Sequence, residues 1–403
     1  MEDYGAVVKD LLRLPLALRP GDRLIPKVVE DALSCAEGVD RSPRSTLTGF
    51  ASEGSDAPPG EDWTPGPAAA ESRTPRRVEA RFHFAGVYDG HGGAEVARQV
   101  AKNLHLHLKK AFGIVAATSL TQSVDEHAPW ASQPKAVDGI SRGADATRRG
   151  ADVTRRDGDA TRRGRDSETS RHSRHLPRGR DLTDALSRHR GLNLPQVRDA
   201  VELAFCLMDG QLRGTEAARL AGSTAVVALV SGSVVCVANV GDSRAVLSRG
   251  GAACRLTRDH KPYLEDEEER IVSCGGEVLK CGGSRVMGVL AMSRAFGDHC
   301  LSNFGVISEP EVALIETSPD DDFLILATDG LWDTISDAEA VELTHRCFDR
   351  ALAGAEQVKL THGGPRQLGA EIAAKVLIKA ATDRGSRDNI TVTVVDLKGN
   401  CEL

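Results

Sequence analysis

Apolar residues in this chain cluster into short runs whose spacing predicts its elements. Residues 81–88, rich in Phe and Val, read as a strand that stops at Asp89. Past the glycines at 90, 92 and 93, Val96, Val100, Leu104 and Leu108 recur every four residues and predict an amphipathic helix from about residue 94. Val197, Val201, Phe205 and Met208 predict another, starting near Leu194. Residues 222–230 predict a buried strand, and 234–240 its hairpin partner across Ser231-Gly232-Ser233. Gly241-Asp242-Ser243-Arg244 turns the chain into a third strand at Ala245-Val246-Leu247. A charged surface helix is predicted over 265–273, closed by Cys274-Gly275-Gly276, and a strand over 323–327 runs into Thr328-Asp329-Gly330. A helix over about 367–382, the stretch Arg387-Asp388-Asn389 and a strand over 390–395 close the core. Hairpin-joined strands with a few long helices indicate an α+β fold of antiparallel sheets covered by helices.

Two regions break this pattern. Residues 41–80 turn to Ser, Pro, Gly and Ala and read as a long surface loop. From about 136 to 190, Thr147-Arg148-Arg149, Thr154-Arg155-Arg156 and Thr161-Arg162-Arg163 repeat without an apolar seam, so a coiled coil is excluded and a low-complexity insertion expected. With flanks, that insertion spans about 113–192 of a single domain over 1–398, followed by a tail at 399–403. The mixed segment before residue 41 carries Leu11, Leu12, Leu14, Leu16 and Leu18. Net charge is −7, and acids interleave the arginines, which disfavours nucleic acid as a partner. Nine cysteines without a Cys-x-x-Cys pair fit a reducing compartment rather than a disulfide frame or zinc site. No apolar run reaches the ~18 residues of a membrane span, and the acidic start lacks a secretory signal's features. An intracellular protein acting as a monomer and away from membranes is expected.

Candidate chemistry starts at Asp89-Gly90-His91-Gly92-Gly93, where a carboxylate at a strand exit meets glycines that let a ligand approach the backbone. Asp-Gly is also an ordinary turn dipeptide. Asp329 and Asp388 likewise flank apolar strands, and each alone reads equally well as a turn residue. Three carboxylates at one sheet edge would repel one another unless hard cations such as Mg²⁺ or Mn²⁺ neutralised them. Two such ions ~3.5–4 Å apart would acidify a water and clamp a phosphoryl group, and His91 would protonate the leaving oxygen.

Val87 to Gly93, Gly222-Ser223-Thr224-Ala225, Gly241 to Arg244, Asp259-His260-Lys261-Pro262, Ser293 to Asp298, Ala327 to Asp333 and Ser386 to Asn389 together resemble the metal-dependent type 2C protein serine/threonine phosphatases. The resemblance implies an α/β/β/α sandwich of two antiparallel sheets, with two Mg²⁺ or Mn²⁺ ions at one end. It implies metal ligation by Asp89, Asp329, Asp388 and the Gly90 carbonyl, and His91 as general acid. Asp242 and Asp333 match positions of a weaker third metal, and Glu2 one that orients a water at the metals. Residues 222–230, 259–262 and 285–294 are similar to the plant group that restrains abscisic acid signalling. That similarity implies Snf-type protein kinases as phosphoprotein substrates and hormone-bound receptors as inhibitors, in nucleus and cytoplasm. Gly92, Met287 and Gly288 would lie on the receptor-facing surface. Cys281 stands where the group carries a flap Trp, so hormone-dependent inhibition is expected to be weak. The family's phosphate-holding Arg precedes its Met-Glu-Asp, whereas Met1-Glu2-Asp3 opens this sequence. The alternative expectation is therefore a pseudophosphatase that binds kinases or receptors without turnover.

Overall fold

A computed structural model describes residues 2–18, 76–125, 191–280, 282–354 and 364–398. Cys281, most of the Arg-rich insertion, residues 41–75 of the expected loop and the tail at 399–403 lie outside the described residues. β1 (Tyr4–Leu18) pairs antiparallel with β2 (Arg76–Tyr88), with a register shift between Val8 and Leu12. The early leucines therefore belong to a strand, with Leu11 and Leu12 buried. β2 begins inside the range read as loop. After β3 (Gly90–His91), α1 (Glu95–Asp125) runs well past residue 113, where the insertion was expected to start. The reason is that its apolar face continues through Ala111, Phe112 and Ala116, all buried.

α2 (Leu194–Leu212) starts at a capping box, Asn193 and Gln196 each accepting the other's backbone N–H at 3.0 Å. α3 (Ala217–Leu220), β4 (Gly222–Ser223) and β5 (Ala225–Val230) follow. The expected strand over 222–230 is thus two. Thr224 breaks it: its N–H donates to the Asp89 carbonyl at 2.8 Å, and its hydroxyl meets Ser243 Oγ at 2.7 Å. β6 (Val234–Val240) forms the hairpin with β5, and β7 (Arg244–Arg249) pairs with β8 (Ala252–Arg255). α4 (Glu265–Ser273) has the predicted limits, yet it is not purely a surface helix, since Glu267 and Ile271 are buried. A flap hairpin, β9 (Val278–Lys280) and β10 (Ser284–Val286), leads to β11 (Phe296–Gly297) and β12 (Glu311–Glu316). β13 (Asp321–Ala327), α5 (Asp329–Trp332), α6 (Asp337–Ala353), α7 (Gly364–Asp383) and β14 (Val392–Asp396) complete the chain.

One sheet has the order β1-β2-β5-β6-β12 and the other β14-β13-β7-β8, with antiparallel neighbours. Strand alternation sorts the core into layers. Val226, Ala228 and Val230 of β5 point between the sheets, against Leu247 of β7 and Leu324 and Leu326 of β13. Ala225, Val227 and Leu229 point the other way, onto the face of α1 and α2 that carries Val100, Leu104 and Phe205. On the far side Phe323 and Ile325 meet Val341 and Phe348 of α6 and Leu377 of α7. Burial on both faces explains why these strands read as continuous apolar runs. The result is the expected α/β/β/α sandwich. Among the described residues no helix is long and apolar enough to cross a membrane.

Candidate active site

The carboxylates gather where strands of both sheets end. Asp89 follows β2, and its backbone N–H donates to Thr224 Oγ1 at 3.2 Å. Asp3 precedes β1, is buried, and accepts from Thr328 Oγ1 at 3.1 Å, which ties the first strand to the end of β13. Asp329 opens α5 directly after β13. Asp242 sits in the β6–β7 turn, and the stretch 259–262 locks that turn in place. His260 Nδ1 accepts from Gly241 N–H at 3.1 Å, Lys261 Nζ donates to Asp242 Oδ2 at 2.5 Å, and Asp259 takes both Arg244 Nε (3.0 Å) and Nη2 (2.6 Å). Burial pushes the His260 imidazole down, in keeping with a neutral acceptor.

Burial and neighbouring charges raise Asp3, Asp89, Asp329 and Asp333. Burial, then the charges of Asp3 and Asp329, push Asp89 up to about 10. Burial, then Asp242 and Asp333, push Asp329 up to about 7 against the opposing charge of Lys261. Asp3 and Asp333 are raised as well, each chiefly by burial. Asp388 is exposed; its Oδ1 accepts from Asn389 N–H at 2.7 Å, and its charge reaches both Asp3 and Asp329. Asp329 is therefore within electrostatic reach of Asp89, Asp388, Asp242 and Asp333.

Buried oxygens of Asp3, Asp242 and Asp329 (Oδ1 in each) have no hydrogen-bond partner among the described residues. Unpaired buried carboxylate oxygens are costly unless a cation takes them. Among the described residues no three His, Cys, Asp or Glu side chains form a ready-made cation cage. Mg²⁺ needs none, because it keeps several waters and uses only one or two carboxylates. The unpaired carboxylate oxygens thus fit a hard divalent ion. Gly90 lies against the first residues of the chain: an added Cβ would sit 2.6 Å from the Glu2 carbonyl oxygen. Glu2 N–H donates to Asn389 Oδ1 at 2.8 Å, so residues 2, 90 and 389 meet at this edge.

His91 lies on β3, which pairs with β4, which pairs in turn with β11. This small sheet brings His91 Nε2 to 2.6 Å from Asp298 Oδ2, across 207 positions of sequence. Gly222 lies beneath the pair, where a Cβ would be 2.1 Å from Asp298 Oδ2 and 2.5 Å from His91 Nε2. Gly92 is exposed at φ +70, and a Cβ there would meet the Leu220 carbonyl oxygen at 2.9 Å. Met287 (φ 51) and Gly288 (φ +72) form the turn after β10, Met287 packing on the flap cluster of Ile271, Val286 and Leu290. Sequence reasoning missed two residues here. Asp3 had the same signal as the others, an acid abutting an apolar strand. Asp298 closes one of the motifs that carry the resemblance, but nothing in the sequence pairs it with His91, since that depends on the register of three very short strands.

The comparisons with known proteins follow this geometry. A sequence profile described as Protein phosphatase 2C matches residues 166–390, which include Asp242, Asp298, Asp329, Asp333 and Asp388, while Asp89 and His91 precede it. Protein phosphatase 2C 56 of Arabidopsis thaliana is 34% identical over 350 residues, covering 84% of this chain and 64% of that protein. Protein phosphatase 2C 50 of Oryza sativa subsp. japonica is 48% identical over 185 residues, 45% of this chain and 48% of that one. The chain thus spans about half to two thirds of the length of these relatives. In fold it is similar to the crystal structure of serine-threonine phosphatase 2C from Toxoplasma gondii, at a TM-score of 0.51 and 21% identity, covering 79% of this chain and 89% of that one. With the profile extending over more than half of its length, the chain belongs to the protein phosphatase 2C family.

Proposed function

We propose that the chain is a metal-dependent protein serine/threonine phosphatase. The observation that carries this reading is the set of mutually repelling, partly unpaired carboxylates of Asp3, Asp89, Asp242 and Asp329 beside His91. Asp89, Asp329, Asp388 and the Gly90 carbonyl would hold two Mg²⁺ or Mn²⁺ ions, and Asp242 with Asp333 a weaker third. Such ions, when bound, supply Lewis-acid polarisation of the phosphoryl oxygens and a more acidic water. The chain's own part is to fix the ligand carboxylates on strand ends, to steady Asp242 through Lys261, and to present His91 to the departing seryl or threonyl oxygen. The test is a Mn²⁺-dependent assay on a phosphoserine peptide. Asp89→Ala is expected to abolish release of phosphate; equal background from both proteins would leave the scaffold reading in its place.

The finer reading is a negative regulator of abscisic acid signalling that acts on Snf-type kinases in nucleus and cytoplasm. It is supported by the wording of residues 222–230, 259–262 and 285–294 and by the plant relatives. Gly92, Met287 and Gly288 would face a hormone-bound receptor, and Cys281 would weaken that contact, since a thiol lacks the N–H and area of an indole. Cys281→Trp should increase hormone-dependent inhibition by a purified receptor at least several-fold; an unchanged inhibition curve sinks this assignment.

A further inference from the structure

We infer that Asp298 is the positioning residue of His91, and that Asp209 holds Asp298 in place from behind. The inference rests on the phosphatase reading and assigns parts within it. His91 Nε2 donates to Asp298 Oδ2 at 2.6 Å, and His91 Nδ1 makes no hydrogen bond among the described residues. Asp298 is buried, and its backbone is left-handed at φ 47, a conformation that Gly, Asn and Asp adopt more readily than other residues. The loop is held from both sides. In front, Asp298 N–H donates to the Ala221 carbonyl at 3.0 Å, which fixes it over Gly222 and β4. Behind, Asp209 of α2 is buried, and its Oδ1 accepts from Gly297 N–H at 3.2 Å and from His299 Nε2 at 3.0 Å, the two residues flanking Asp298. A helix of the outer layer thus clamps the loop that aims the imidazole.

With Nε2 committed to Asp298, Nδ1 is the atom that hands over the proton. A water oxygen bonds to phosphorus as the bond from phosphorus to the seryl oxygen breaks. The seryl oxygen keeps that electron pair and takes the Nδ1 proton of a doubly protonated His91, which is left neutral with its proton on Nε2, while the attacking water's own proton passes to solvent. A leaving group that departs readily as an anion needs no such proton, so the role shows itself as a difference between substrates.

Asp298→Asn and Asp298→Gly both tolerate the left-handed backbone. Turnover of a phosphoserine peptide with Mn²⁺ should fall about 10–100-fold in either variant, with KM unchanged, while p-nitrophenyl phosphate hydrolysis falls less than about threefold. Combining Asp298→Gly with His91→Asn should lower peptide turnover no further than His91→Asn alone. In the metal-free protein, long-range ¹H–¹⁵N spectra should show neutral His91 protonated at Nε2, a preference lost in Asp298→Gly. Equal losses on both substrates, additive effects in the double variant, or an Nδ1-protonated His91 in the unaltered protein would each overturn the assignment. Should the unaltered protein hydrolyse neither substrate, the phosphatase reading falls, and the tautomer still decides whether Asp298 holds His91.

Discussion

Gly222 carries the His91–Asp298 pair directly over its Cα, so the smallest possible side chain there collides with both partners. Gly222→Ala is expected to lower phosphopeptide turnover about 10–100-fold, because displacing a catalytic group by ~1 Å is enough for that. Measured kcat beside a thermal melt checks it, and full activity would show that the pair has room to move. At this scale the sequence was legible where chemistry abuts a strong strand. Asp89, Asp329 and Asp388 stand out because apolar runs frame them. Gly222 and Asp298 belong to motifs of the resemblance, but their contact with His91 was not legible, since residues so far apart meet only after β3, β4 and β11 align.

Among the elements, α4 shows how a charged pattern can mislead. Its acids suggested a solvated face, but Glu267 points inward to Arg270 (2.8 and 2.7 Å), Arg294 (2.6 Å) and Ser293. Burial alone would raise the Glu267 pKa; the bonds from Arg270, Arg294 and Ser293 overcome it and hold the carboxyl far below its usual range. Because the folded-state pKa is depressed, the unfolded chain binds the proton first as pH falls. The stabilisation is present above the usual Glu value of 4.5 and is lost on acidification below it. Glu267→Gln leaves two guanidinium groups short of their counter-charge and should destabilise the fold by about 3–5 kcal/mol in urea titration at neutral pH. A loss under about 1 kcal/mol would reduce the cluster to ordinary surface pairing. The strands of β5, β6 and β13 were readable from unbroken apolar runs, whereas the break at Thr224 was not. Thr suits a strand, and only its bonds to Asp89 and Ser243 take it out of one.

For the whole molecule, the site is a source of instability until a cation fills it. Asp89 and Asp329 are raised from 3.8 to about 10 and about 7, so the folded chain retains protons that the unfolded chain has released. Without a divalent ion, stability should therefore decline as pH rises from about 4 through about 10, most steeply below about 7 where both groups contribute, the reverse of the Glu267 effect. Mg²⁺ or Mn²⁺ at about 100 times its Kd should add about 2.7 kcal/mol and flatten that decline. Melting curves with chelator and with metal, across pH, test this; parallel curves would mean that the carboxylates are not the ion's site. Antiparallel sheets covered by helices were foreseeable from hairpins and helix spacing, and the sandwich from the family resemblance alone. The limits of β2 and α1 were not, because both elements continue into stretches whose average composition suggested loop.

Asp3 lies ahead of the first described strand and Asp388 just before the last, yet both act on the same cluster. At 5–20 residues per second, a ribosome needs on the order of 20–80 s between making one and the other. The first sheet is complete only once β12 has been made, and the acidic edge later still. The acidic edge is then completed as β14 pairs with β13, in one step, rather than growing with chain length.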